Sequence, residues 1–162
     1  MKKLAYSILF VATVAITFQS CDSDDDNNNG GVTINNQVSI GGTVYELDGL
    51  GTLDSFGGNP DGSFDWDVEF LSADDNTLVY FDLNTNSADG LVAGTYSYAS
   101  EREEFTFVFS EIFVNNTFDY TPMEGTVVIE IEGETTSFTF NLTAQDGTDI
   151  AGQWSGILIS VD

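Results

Sequence analysis

The sequence predicts an all-β domain, an antiparallel sandwich or closed barrel of about eight or nine strands. Three observations carry this. Apolar residues recur with period two rather than 3.6 from Val32 onward. Gly-containing turn pairs punctuate the chain at short intervals. No stretch of ten or more residues combines helix-period apolar positions with a cap.

The strands follow in order. Gln37–Ile40 and Thr43–Leu47 flank Gly41-Gly42, a two-residue turn pair. Phe64-Asp65-Trp66-Asp67-Val68-Glu69-Phe70 alternates apolar and acidic residues, which describes a strand with one face in the core and one in water. Leu78–Leu83 and Gly94–Tyr98 are less regular. Phe105–Ser110, Thr126–Glu132 and Ser137–Leu142 repeat the alternation, and Glu132-Gly133-Glu134 closes the last two into a hairpin. Trp154–Val161 ends the series. Asp48-Gly49, Asp61-Gly62, Asp89-Gly90 and Asp146-Gly147 mark further turns or loops, and Pro60 and Pro122 are expected in loops. Periodicity does not separate sandwich from barrel, since both bury one face of every strand.

A weak repeat is visible. Phe81-Asp82-Leu83 leads through Asp89-Gly90 to Gly94-Thr95-Tyr96-Ser97, and Phe140-Asn141-Leu142 leads through Asp146-Gly147 to Gly152-Gln153-Trp154-Ser155. It reads as two similar hairpins, or as a duplicated half-barrel.

The N-terminus has a different composition. Lys2 and Lys3 precede an apolar run from Leu4 to Phe18, too short for the roughly 20 residues of a membrane span and of the length of an export signal. Cys21 is the only cysteine, and Phe18-Gln19-Ser20-Cys21 resembles the lipobox of bacterial lipoproteins. The resemblance implies diacylglycerol transfer to the Cys21 thiol, cleavage before it and acylation of the new terminus. Two or more acyl chains give stable anchoring where one does not. The run Asp22-Ser23-Asp24-Asp25-Asp26 is similar to the surface-export signal of Bacteroidetes-type lipoproteins. That implies an outer-membrane lipoprotein facing the medium, with a periplasm-facing anchor as the alternative. The expected organisation is a signal peptide over 1–20, a lipidated Cys and flexible Asp/Asn-rich tether over 21–31, and one β-domain over 32–162. The domain's strand–loop–Gly-x-aromatic pattern loosely resembles small lipocalin-like or sandwich lipoproteins, with no site residues attached.

Charge narrows the function. Once residues 1–20 are removed, Arg102 is the sole cation against 27 acidic residues, a formal charge of −26, and the chain has no His. Nucleic-acid binding requires basic residues that neutralise phosphates, and one Arg does not supply them. Docking on anionic head groups fails for the same reason, so membrane contact is expected through the lipid anchor alone. A His-based triad, a His-ligated zinc site and a lysine Schiff base are impossible in the mature chain. With 13 Phe, 6 Tyr and 2 Trp the domain is far too aromatic for a disordered acidic tail.

Four sets of residues invite chemistry. Asn59, Asp61 and Asp65 place oxygen donors around Gly62, a pattern suited to Ca²⁺ although it is not an EF-hand. Asp65, Asp67 and Glu69 share a strand face at a spacing that a pair of glycosidase carboxylates would accept, with a wet acidic face as the plain reading. Tyr80 and Tyr120 are the aromatic residues best placed to be exposed for a sugar or other ligand. Arg102 lies among Glu101, Glu103 and Glu104, where a surface ion pair worth about 0–1 kcal/mol is expected. No catalytic residue is identified. The expected function is a non-enzymatic, surface-tethered module binding a glycan, a protein or a calcium-bridged partner. A lipocalin-like carrier of a small apolar ligand is the alternative, and an Asp/Glu-dependent hydrolase comes third.

Overall fold

Period-two alternation has one geometric consequence: each strand must lay its apolar face on another layer. The computed structural model describes residues 35–161 apart from 75, 116 and 117. The expected signal peptide, Cys21 and the tether with Asp22–Asp26 lie outside the described residues. The strands are β1 (Gln37–Ile40), β2 (Thr43–Glu46), β3 (Gly51–Gly58), β4 (Phe64–Leu71), β5 (Thr77–Thr85), β6 (Gly94–Tyr98), β7 (Thr106–Val114), β8 (Phe118–Tyr120), β9 (Pro122–Glu132), β10 (Thr135–Ala144), β11 (Asp149–Gly156) and β12 (Ile159–Ser160). They form one sheet in the order β12-β3-β4-β5-β7-β6-β9-β10-β11-β1-β2, with β8 paired to the end of β7. Among the described residues, neighbours are antiparallel except for two short parallel pairings, β12 with β3 and β6 with β7.

The sheet curls strongly into a half-barrel, so the protein is all-β as expected. Its two halves meet through aromatic rings. Phe70 of β4 stacks on Trp154 of β11 and meets Phe138 of β10 edge-on, with centroids 4.7 and 4.8 Å away. Phe81 of β5 meets Phe140 of β10 at 5.3 Å. Phe107, Tyr96, Ile112, Ile129 and Val38 are fully or almost fully buried in the same cluster. The Tyr96 hydroxyl donates to the Val92 carbonyl at 2.8 Å, and burial pushes it up to about 12. Close approach has a sequence cause: a methyl group on Gly51 of β3 would collide with the Trp154 indole.

The link 47–50 carries the chain from the β2 end of the strand order to the β3 end. It is held by Leu47 N–H donating to Asn36 C=O and by Gly49 N–H donating to Leu71 C=O, both at 2.9 Å. Asp48-Gly49 is therefore a crossing rather than a hairpin.

Several expectations shift in detail. The described residues form twelve strands where eight or nine were expected. β3 and β8 are the additions, and the expected strand Trp154–Val161 divides into β11, which starts at Asp149, and the short β12. Pro122 opens β9 instead of sitting in a loop; a strand's first residue tolerates a missing N–H. Gly41-Gly42 makes the expected tight turn, with φ of 55° and 87° at the two residues, as a type I′ turn requires. The sequence repeat does not give two hairpins. β10 and β11 pair directly, whereas β6 pairs with β9 and β7 and not with β5.

Candidate functional site

Alternation along β4 puts Trp66, Val68 and Phe70 in the core and Asp65, Asp67 and Glu69 on the outer face. β5 does the same with Val79, Phe81 and Leu83 inside and Tyr80, Asp82 and Asn84 outside. Register then assembles the site. Asp54 of β3 stands opposite Asp67 of β4, and Asp67 stands opposite Asp82 of β5. Three carboxylates thus lie in one row across three adjacent strands. Directly opposite residues have Cβ atoms about 4.5–5.5 Å apart, and like charges so placed destabilise a sheet. In the next row Glu69 faces Tyr80, and Tyr80 faces Glu111 of β7.

Arg102 arrives from the segment between β6 and β7. These strands are parallel and staggered, pairing only at Ser97–Thr106 and Tyr98–Phe107, so the intervening residues leave the sheet as a loop. The loop re-enters at Phe105, whose φ is 61°. Its N–H donates to the Asn84 carbonyl at 2.8 Å, tying the loop to β5. The Arg102 guanidinium then grips both oxygens of Asp82 at 2.7 and 2.6 Å. Its Nη1 also reaches Asp65 Oδ2 at 2.7 Å and Asn84 Oδ1 at 3.1 Å. The bidentate geometry on Asp82 is the strong form of a charge-assisted pair.

Here the structure corrects two expectations. Arg102 pairs with Asp65 and Asp82, distant in sequence, and the paired carboxylates are not surface groups: the Asp65 and Asp82 side chains are 13% and 9% exposed. For the same reason the β4 acidic face is not uniformly wet. One Asp65 oxygen, Oδ1, is buried without a hydrogen-bond partner among the described residues. Burial first, and then the adjoining Asp82 carboxylate, push Asp65 up to about 6, with Arg102 pulling the other way. Burial also raises Asp67, opposed by a hydrogen bond from the Tyr80 hydroxyl. Tyr80 in turn is pushed up by burial and by Asp67.

The oxygen-rich turn is used differently from the calcium pattern. The Asn59 amide donates to Ser63 Oγ at 3.1 Å and to Asn84 Oδ1 at 2.9 Å. Asp61 accepts from the Ser63 hydroxyl at 2.9 Å. Asp65 turns to Arg102. Asn59 and Asp61 therefore brace the turn and connect it, through Asn84, to Arg102. The carboxylates that do converge are Asp65, Asp67 and Asp82, each offering an oxygen within 4.8 Å of the others. Hard oxygen donors at that separation suit a divalent cation, in competition with Arg102.

Tyr80 lies half-buried on this outer face, edge-on to Phe109 of β7 with centroids 5.8 Å apart, and Phe109 is 40% exposed. Tyr120 is not in a loop. It ends β8, half-buried against the core cluster and opposite Ile112 of β7. Sequence reasoning missed Asp54, Asp82, Asn84 and Phe109. The one signal available was that Asp82 and Asn84 alternate with the core residues Phe81 and Leu83, as Asp65 and Asp67 do with Trp66 and Val68.

No protein-family profile, curated protein or solved structure matches this chain.

Proposed function

We propose that the protein is a non-enzymatic binding module, tethered through lipidated Cys21 to the outer membrane and facing the medium, that engages its partner on the outer face of β3, β4 and β5. The observation that carries this reading is the row Asp54–Asp67–Asp82. Sheets avoid like charges directly opposite one another, and Arg102 compensates only Asp82 in this row. Asp54 and Asp67 are left for a partner, beside the Tyr80–Phe109 aromatic pair. A row of carboxylates next to an aromatic edge suits a cationic protein surface, a calcium-bridged ligand or a sugar whose hydroxyls donate to the carboxylates.

The filling of the interior by Phe70, Phe81, Phe107, Phe138, Phe140 and Trp154 supports a surface site over a carrier's apolar calyx. The Arg102 guanidinium on Asp65 and Asp82 supports binding over acid–base chemistry, because two of the three converging carboxylates are already engaged by a cation. A screen of glycans, basic proteins and Ca²⁺ against the wild-type chain and Asp54→Asn/Asp67→Asn tests the reading. Retained ligands should lose about tenfold or more in affinity with the variant. Ligands that bind both forms equally would place the site elsewhere.

A further inference from the structure

The outer face of β3 and β4 grades from apolar to acidic along the strands. Leu50, at the foot of β3, accepts from Leu71 N–H through its C=O at 3.0 Å, so the two leucines stand side by side. Register then pairs Thr52 with Glu69 and Asp54 with Asp67. Alternation puts all six opposite the buried face that carries Gly51, Val68 and Phe70. The leucine row continues from Leu71 to Leu78 of β5 and Phe113 of β7, and none of these four apolar residues belongs to the core cluster. Leu50 is 58% exposed and the other three are half-buried. Adjoining apolar side chains on an outer face, unlike single scattered ones, mark an interaction surface.

Charge and spacing define the occupant. Cations are needed over Asp54, Asp67 and Glu69, and this chain has none to give. Beyond Lys3 its one cation is Arg102, already held by Asp65 and Asp82. Neither the acidic segment 22–26 nor a second copy therefore complements the face. Successive cross-strand pairs on one face lie about 7 Å apart along the strands, so the leucine pair is about 14 Å from Asp54–Asp67. A strand laid over the face presents its own inward side chains at the same interval. Aligned packing of one sheet on another is the ordinary form of that contact. The sheet curls across its strands, so an element running along β3 and β4 keeps contact where one crossing them lifts away.

We propose that the outer face of β3 and β4 receives a β-hairpin of a partner protein, laid along these strands. Its inward-facing residues are apolar at one end, over Leu50 and Leu71, and cationic toward the other, over Glu69 and then Asp54 and Asp67. Two hairpin strands match the spacing of β3 and β4 themselves. Covering the leucines excludes water beside the carboxylates, which strengthens the ion pairs. This rests on the reading of the β3–β5 face as the binding face and names the class of partner.

The test titrates the isotope-labelled full chain with a synthetic disulfide-closed hairpin and follows backbone amide shifts. One face of the hairpin carries a Leu pair, a Thr–Lys pair and a Lys pair, in that order. Controls are the hairpin with Glu for Lys and one with its Leu pair moved to the middle. The proposal expects shifts concentrated at Leu50–Asp54 and Asp67–Leu71. It expects no binding of the Glu hairpin and affinity about tenfold or more weaker for the rearranged one. A similar loss is expected in Leu71→Lys and in Asp54→Asn/Asp67→Asn. Leu50→Lys, at the more exposed leucine, serves as a second variant, and the amide spectrum of each checks that it is folded. Binding weakened by the carboxylate variant but untouched by both leucine variants overturns the hairpin and leaves the acidic-face reading standing. So does a hairpin that fails to bind a chain still capturing another ligand through Asp54 and Asp67. Hairpin binding indifferent to all three variants overturns both. A dimer in light scattering that Leu50→Lys dissociates makes a second copy the occupant, and also overturns the proposal.

Discussion

Phe70 lies nearly parallel to Trp154, with ring centroids 4.7 Å and planes 17° apart, and joins β4 to β11, which the strand order separates widely. The stack closes the half-barrel over the same strand that displays Asp65 and Asp67 on its other side. Core packing and site geometry therefore share β4. Trp154→Ala should destabilise the fold by about 3–5 kcal/mol, the range for truncating a buried large aromatic residue. Urea unfolding followed by far-ultraviolet circular dichroism measures it. A cost below about 1 kcal/mol would mean that the stack does not hold the two halves together.

Arg102 is expected to act as a structural clamp. Arg102→Gln leaves Asp65 and Asp82 facing each other without their cation. Breaking a well-buried pair costs about 3–5 kcal/mol, and the partial exposure of Arg102 discounts this to about 1–3 kcal/mol. Adding Asp82→Asn should recover part of the loss, because the uncompensated charge is then gone. A double-mutant cycle with no coupling would contradict the bidentate geometry.

Stability should depend on pH through Asp65. Its folded-state value of about 6 lies above the ordinary 3.8, so the folded protein holds a proton that the unfolded chain releases. The stabilisation is fully present below about pH 4 and is lost as pH rises through about 6. Two units correspond to about 3 kcal/mol at most. Melting temperature should therefore fall between pH 5 and pH 7.5 at fixed ionic strength, and the slope should flatten in Asp65→Asn. A wild-type slope retained in Asp65→Asn would assign the effect to the remaining acidic residues.

Asp54 and Asp67 should trade stability for binding. Asp67→Asn removes a like charge opposite both neighbours, and the carbonyl oxygen of the new amide still accepts from the Tyr80 hydroxyl. The substitution should raise stability by about 0.2–1 kcal/mol while lowering ligand affinity. A melting temperature that falls would show that Asp67 is held by contacts stronger than the repulsion.

Anchoring has its own test. Cys21→Ala should release the protein from membranes into the soluble fraction, and mass spectrometry of the wild-type protein should find an acylated Cys21 as its first residue. An unmodified thiol there would remove the tether from the account.

Much of the strand plan was legible because alternation is a local property. Phe64–Phe70, Thr126–Glu132 and Ser137–Leu142 each announce a buried and an exposed face within a few residues. β3 was not legible. Gly51, Gly57 and Gly58 dilute its pattern, and Gly51 is dictated by Trp154, which lies far along the chain. The site was half legible. Asp65 and Asp67 sit on a strand that any alternation argument finds. Asp54 and Asp82 join them only through register, and Arg102 only through a loop whose course depends on the β6–β7 stagger. Nearest acidic neighbours in sequence were a poor guide to the partners of Arg102, because consecutive residues in a loop rarely face one another while strands align distant ones.

The most direct measurement is the affinity of any ligand captured by the wild-type chain, compared with Asp54→Asn/Asp67→Asn at matched ionic strength. The account predicts a loss of about tenfold or more in a variant that is at least as stable as wild type. Equal affinities in two equally folded proteins would contradict it, and would move the binding surface off the β3–β4–β5 face.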